Sequence, residues 1–393
     1  MLYFCKILFV IMAKDFLKFS LLIIVIISFV GCKNKKQDLY KAEDKLIKIY
    51  QTETEMWEDQ TDYKFGNAFA ELLLSDSSTI SYPFQRLKDS TDMFISTSQD
   101  GNLRIYSWDT KFGGTVPIYD NAFQFRSNGK VFSFKHTPWD YDENNNYIQP
   151  EEFCEYRCNF IKIHTVKIKD KTYYIVESYA RYDSGHGVSS ITAFTIENDN
   201  LRTEKIFKTK NDLLSDIYIE YCFRDWYFRA NNGKGFDWIF SFDEKTNTLY
   251  VPLIDDKIEF GFVTDQYLLY QLKDNNLQYI GKDGGYWLYP SIRKFRYMET
   301  ICETENFLIR IDKLNNGKYR YVSWNKNSKT MADKPDLIIE NGSKYEDEIG
   351  DFNYSGYIFK TKAYEYEIRP TAQYIMSLVV TKNGKTILSE EIK

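Results

Sequence analysis

The chain is poor in the residues that most often do catalytic work. Only three of its 393 residues are histidine (His136, His164 and His186), and six are cysteine. It contains no Gly-x-Ser-x-Gly elbow, no His-Glu-x-x-His, no P-loop, and no Gly-x-Gly-x-x-Gly between a strand and a helix. These absences remove the sequence signatures of α/β-type serine hydrolases, zinc proteases, nucleotide hydrolases and dinucleotide enzymes. Positive charge is also short. Lys and Arg number 51 against 56 Asp and Glu, a net charge of −5. No basic block follows residue 38, so nucleic acid is not an expected partner. The apolar stretch from Phe19 to Val30 is twelve residues long, short of the roughly 20 that a spanning helix needs.

That short stretch has an informative context. Lys14 and Lys18 precede it, and Phe29-Val30-Gly31-Cys32 closes it. A positive start, an apolar middle and a small residue before cysteine form a processing segment, which is set aside before any fold argument. The layout resembles a bacterial lipoprotein signal, with Phe29 where leucine is more usual. Met12 makes a tidier start for it than Met1. The resemblance implies cleavage before Cys32, lipid on its thiol, and attachment to the cell envelope. Lys33-Asn34-Lys35-Lys36 is basic rather than acidic, which favours a periplasm-facing position. Several buried acyl methylenes, at about 0.8 kcal/mol each, make such an anchor durable.

Cleavage there leaves 393 − 31 = 362 residues, room for two or three domains or one large repeat structure. The 32 Tyr and 29 Phe, together with many Ile, Val and Thr, suit half-buried pleated surfaces. The expected class is mainly β. Residues 1–31 are the signal segment and 32–38 a polar tether. Residues 39–78 are helical, because Leu39, Ala42, Leu46, Ile49 and Tyr50, then Phe65, Phe69, Leu72 and Leu73, recur at three- and four-residue steps. The break is expected at 60–62, with Thr61 or Asp62 capping the second helix. Residues 79–290 read as a β-repeat domain and 291–393 as a C-terminal β domain.

The β reading rests on turns. Asp100-Gly101, Asn128-Gly129, Asp170-Lys171, Asp199-Asn200, Thr246-Asn247, Asn275-Asn276, Asn316-Gly317, Asn341-Gly342 and Asn383-Gly384 lie between alternating segments, and such pairs supply the positive φ of tight hairpins. Short and long intervals between them alternate, giving a repeat of roughly 70 residues. Repeated antiparallel hairpins in a propeller-like or stacked-sheet arrangement are expected after a short helical hairpin. Two β-sandwich domains are the alternative. Tyr82-Pro83-Phe84, the run from Ser98 to Thr110, Gly113-Gly114-Thr115, Tyr319–Trp324 and Lys334–Gly342 resemble a family of uncharacterised bacterial lipoproteins. That resemblance implies a β-rich body and carries no activity with it.

Four cysteines remain besides Cys5 and Cys32: Cys154, Cys158, Cys222 and Cys302. An oxidising compartment permits disulfides between them, but small buried thiols in strands are the simpler expectation. Cys154, Cys158 and His164 lack the paired short spacings of a zinc site. The sharpest local motif is 140–151. Asp140, Asp142, Asn144, Asn146 and Glu151 fall at positions 1, 3, 5, 7 and 12, the order in which an EF-hand loop converges oxygens on calcium. Asn145 stands where glycine is usual, Pro150 crowds the end, and no clear helices flank the loop. A solvated loop rich in asparagine is the competing reading, and calcium is the one cofactor implied.

Trp226, Tyr227 and Trp238 surround Asn231-Asn232-Gly233 and would form a stacking platform if exposed, or core if buried. Tyr286, Trp287 and Tyr289 carry the same two readings. His186 lies near Ser184, Ser189 and Ser190, but no serine–histidine–acid arrangement is evident. The sequence therefore points to a lipid-anchored envelope protein that binds a protein or glycan and is more a scaffold than an enzyme. The alternative is a polysaccharide hydrolase using paired carboxylates such as Glu151-Glu152 or Asp255-Asp256.

Overall fold

The computed structural model describes residues 37–53, 64–111, 116–136, 158–183, 185–223, 239–349, 352–370 and 375–393. As the composition requires, the described chain is mainly β, built of antiparallel hairpins after an N-terminal helical segment. It divides into two compact units. The first runs to Thr165 and includes Thr195–Arg202; the second comprises Val166–Phe194 and Thr203–Lys393.

In the first unit, α1 (37–53) and α2 (Lys64–Ser75) carry the expected apolar stripes, and α3 (Gln85–Thr91) follows. Their partner is a four-stranded sheet of β1 (Phe94–Thr97), β2 (Leu103–Asp109), β3 (Tyr119–Ser127) and β4 (Lys130–His136), in that order. Leu46, Tyr50, Phe65, Phe69 and Leu73 pack on Tyr106, Trp108 and Ala122. Phe69 meets Tyr106 and Trp108 edge-on, with centroids 5.1 and 5.8 Å apart, the arrangement that ring quadrupoles favour. The start of α2 is capped from a distance: the Glu53 carboxylate accepts the Lys64 and Phe65 amides, each at 2.9 Å. A carboxylate there satisfies free amides and complements the helix dipole. Glu43 does the same for α3, accepting the Leu87 amide at 2.8 Å and the Tyr82 hydroxyl at 2.9 Å.

The chain continues through β5 (Asn159–Ile168), β6 (Lys171–Arg181), β7 (His186–Glu197), β8 (Asn200–Thr203), β9 (Phe207–Lys208), β10 (Leu213–Leu214) and β11 (Asp216–Cys222). Then come β12 (Ser241–Asp243), β13 (Thr248–Asp255), β14 (Phe262–Lys273) and β15 (Asn276–Gly285). In the second unit β7 pairs antiparallel with β6 on one side and β11 on the other. A six-stranded sheet runs β10-β9-β15-β14-β13-β12, antiparallel except between β9 and β15. Ile175, Ile191, Ala193 and Tyr221 pack with Leu249, Val251, Val263, Tyr270 and Leu277 in one core.

Eight strands close the chain in a continuous up-and-down sheet: β16 (Tyr297–Glu303), β17 (Phe307–Lys313), β18 (Tyr319–Asn325), β19 (Leu337–Ile349), β20 (Phe352–Lys360), β21 (Tyr364–Pro370), β22 (Met376–Lys382) and β23 (Lys385–Glu391). Leu308, Val322 and Trp324 face one core, with Phe262, Ile292 and Phe295. Ile309, Ile311 and Tyr321 face the other, with Phe359, Ile368 and Leu378. A strand buried on both faces loses its alternation, which is why Leu308-Ile309-Arg310-Ile311-Asp312 is covered throughout. The sheet curls strongly. Near its far end, Lys393 donates its amide to the Glu303 carbonyl at 2.8 Å and Asn306 Nδ2 donates to Glu390 at 2.6 Å, so the last strand returns to the first.

Most expected turns are present. Asn128-Gly129 and Asn383-Gly384 both have positive φ at each residue, 47° and 74°, then 49° and 80°, as a two-residue hairpin requires. Asn341-Gly342 is a correction. It lies inside β19, where pairing with β18 shifts register between Tyr319 and Tyr321. Positive φ at Asn341 serves a bulge there, not a hairpin.

Candidate functional site

Cys32, the 140–151 loop with Asp140, Asp142, Asn144, Asn146 and Glu151, Cys154, and the Trp226, Tyr227 and Trp238 platform all lie outside the described residues, as does Ser184. Among the described residues no group of three His, Cys, Asp or Glu side chains is placed to hold a metal, and no helix is long and apolar enough to cross a membrane. Cys158 is disulfide-bonded, which corrects the expectation of a free buried thiol and leaves it no thiolate for zinc. Cys222 and Cys302 are free and buried, and burial pushes the Cys302 thiol up to about 12.

Asp183 and His186 do come together. Asp183 Oδ1 accepts the Gly185 and His186 amides at 2.6 and 2.7 Å, and Oδ2 lies 2.6 Å from His186 Nδ1. Burial opposes ionisation of Asp183, but these bonds outweigh it and hold the carboxyl below its usual range. The serines nearby are engaged elsewhere. Ser189 is within 3.1 Å of the Tyr221 hydroxyl on the core face, and Ser190 within 2.7 Å of Ser178. Ser190 shares a face with His186, but it lies four residue steps along the strand, about 13 Å away. No serine–histidine–acid set forms from the described residues.

The other histidines are structural: His164 is buried, and burial pushes His136 down to about 4. Tyr286 and Trp287 stack on Phe262 at 5.8 and 5.2 Å and donate to Asp255 and to the Val263 carbonyl, each at 2.9 Å. They belong to the core margin. Asp255 thus takes Tyr286, while Asp256 is exposed, so this adjacent pair does not form a two-carboxylate site.

A different constellation emerges from strand register. Tyr297 on β16 lies directly opposite Lys313 on β17, and Lys313 opposite Tyr319 on β18. Directly opposed residues share a face, so the three form a row across the concave side of the curled sheet. The Lys313 ammonium sits 3.9 Å above the Tyr319 ring. A register shift between Met298 and Thr300 adds Glu299 to the same side, where Lys344 and Tyr357 each donate to its Oε1 at 2.9 Å.

Burial opposes ionisation of Glu299, and the Lys344 ammonium with the Tyr357 and Tyr297 hydroxyls outweighs it, so the carboxyl is held low. The Glu299 carboxylate in turn raises Lys344. Burial first, then Glu299, raises Tyr357 and Tyr297 above the ordinary phenol range, so both remain donors. The row extends outward. Phe260, 36% exposed, lies 6.3 Å from Tyr297 and meets His186 edge-on at 4.0 Å. Arg296 pairs with Glu259 at its border.

The result is a strip of aromatic faces edged by one imidazole, two ammonium groups and carboxylates. Aromatic faces take apolar ring surfaces, and the polar edges orient what stacks on them. Sequence reasoning missed this site because its members are spread over strands whose register no local motif records. The only available signal was the recurrence of Tyr and Lys at the ends of successive hairpins.

No protein-family model matches the chain, and no curated protein sequence does. Among solved structures, the sialidase of Trypanosoma rangeli is 7% identical, with 76% of this chain and 53% of that one covered and a TM-score of 0.19. Sucrose-6-phosphate hydrolase from Lactobacillus gasseri is 9% identical, with 74% and 64% covered and a TM-score of 0.18. Likeness at that level carries no argument about function.

Proposed function

We propose that this chain is a lipid-anchored protein of the bacterial cell envelope, held to the membrane through Cys32 and facing the periplasm. Its β-rich body binds a glycan or protein partner without chemically altering it. The observation that carries the binding reading is the exposed Phe260 between His186 and Tyr297. An aromatic left open beside hydrogen-bonding groups suits a ligand with one apolar and one polar face. The test is a binding screen of the full chain in detergent against envelope glycans and envelope protein extracts. Wild type is compared with Phe260→Ala and Tyr297→Ala. Retention of a defined glycan or protein that both variants lose supports the reading. Equal behaviour of all three proteins removes the strip from it.

The 140–151 loop is proposed to bind one calcium ion through Asp140, Asp142, Asn144, Asn146 and Glu151. Sites of this extracellular type bind at about 0.1 to 1 mM. Calorimetric titration should give saturable heat that Asp142→Ala abolishes. A flat trace at millimolar calcium rejects the site.

A further inference from the structure

We infer that the row Tyr297–Lys313–Tyr319 is a subsite for a carboxylate-bearing sugar ring. The inference rests on the binding reading above and adds the charge and class of the ligand. Charge bookkeeping along the concave face comes first. Lys344 is neutralised by Glu299 at 2.9 Å, and Arg296 at the border is neutralised by Glu259. Lys313 lies between the two tyrosines, and its ammonium packs on the Tyr319 ring without an ion pair among the described residues. One positive charge therefore stands unopposed on a half-buried aromatic surface, where charge interactions are stronger than in bulk water.

Geometry narrows the ligand further. Tyr297 is the half-buried cross-strand neighbour of Lys313, and the exposed Phe260 ring lies 6.3 Å from it, aromatic surface of the kind that suits the C–H face of a sugar. The Tyr297 hydroxyl gives its one proton to Glu299, so its oxygen is left to accept from ring hydroxyls. A neutral sugar would leave the Lys313 ammonium with only its aromatic neighbour. A carboxylated ring presents stacking surface and counter-charge together, a short ring-to-carboxylate span matching the adjacent-strand spacing of about 4.8 Å. Glu299 does not compete for Lys313, because its Oε1 already takes Lys344 and Tyr357.

The experiment compares trigalacturonate with its fully methyl-esterified form, which keeps the shape and removes the charge. Both are titrated calorimetrically into the full chain in detergent, at low and moderate salt. The expected result is at least tenfold tighter binding of the acid, weakening with salt. Lys313→Gln should erase the preference and Lys313→Arg retain it. Galacturonate monosaccharide binding in the same order would assign the site to a free sugar acid rather than a polymer. Equal affinity for acid and ester overturns the inference and leaves the glycan reading standing. Binding of neither also overturns it, and the glycan and protein screen then decides the broader reading separately. Because the acid–ester comparison uses the unmodified protein, a Lys313 variant that fails to fold does not blunt the test.

Discussion

The Glu299 carboxylate on β16 accepts a hydrogen bond from the Tyr357 hydroxyl on β20 at 2.9 Å, although three strands lie between them in the sheet order. In a flat sheet, four strand spacings would separate their backbones by about 19 Å. The contact therefore reports the curl that turns β16–β20 into a concave surface. Glu299→Gln and Tyr357→Phe should each cost about 1–2 kcal/mol, with a coupling energy of roughly 0.5–3 kcal/mol in a double-mutant cycle by urea unfolding. Strict additivity would mean the contact does not hold the curl.

Glu299 and its other partner, Lys344, set a pH window. Glu299 has a lowered pKa in the folded state, so its contribution is present above the ordinary value of 4.5 and is lost as pH falls through the lowered one. Lys344 has a raised pKa, so its contribution is present below 10.5 and is lost as pH rises through the raised value. Glu299→Gln should flatten the acid limb of the urea midpoint plotted against pH, and Lys344→Met the alkaline limb.

His136 predicts a second acid effect. Burial in the first unit pushes its pKa down from 6.5 to about 4, so the unfolded chain binds a proton that the folded chain does not between those values. Stability should fall as pH drops from 6.5 towards 4, by on the order of 3 kcal/mol in all. Urea unfolding at pH 5 and pH 7 should show this loss in wild type and a smaller one in His136→Gln.

Asp312 is fully buried between two arginines. Its Oδ1 accepts Arg310 Nε at 2.6 Å, its Oδ2 accepts Arg320 Nη2 at 2.6 Å, and Arg320 also donates to the Ile292 carbonyl at 2.7 Å. Asp312→Ala leaves two buried cations facing each other and should cost about 3–5 kcal/mol. Replacing all three residues together with Met and Leu should cost much less, because the desolvation penalty of the ions disappears as well. Chemical denaturation of both variants checks the contrast.

Gly342 lies at the β19 bulge with the Phe359 ring where its side chain would be. Gly342→Ala should destabilise by about 1–3 kcal/mol through overpacking. Phe359→Leu in the same chain should restore part of the loss, measured by thermal unfolding.

These examples show what the sequence could and could not convey. Hairpins were legible because residues such as Asn128-Gly129 and Asn383-Gly384 announce positive φ locally. The helical stripes of Leu46, Phe65 and Phe69 were legible because their spacing is set by the helix itself. The Asn341-Gly342 bulge has the same local chemistry as a turn, and only its partner strand distinguishes them. Arg310, Asp312 and Arg320 read as ordinary polar positions, because their burial depends on a second core packed on that face. The Glu299 and Lys313 strip depends on register across five strands, which periodicity within one segment cannot supply. The expected Thr61 or Asp62 cap and the break at 60–62 lie outside the described residues, and the contribution of Glu53 to the start of α2, from eleven residues away, has no short-range signal.

The claim on which the functional account depends most is lipid attachment at Cys32, since it fixes the compartment in which the strip operates. Bacteria expressing the full chain are fed a labelled fatty acid, and the protein is recovered from membrane and soluble fractions. The account predicts label on the membrane-bound protein, with Cys32→Ser unlabelled and retaining its first 31 residues. An unlabelled wild-type chain, or equal labelling of Cys32→Ser, would contradict it.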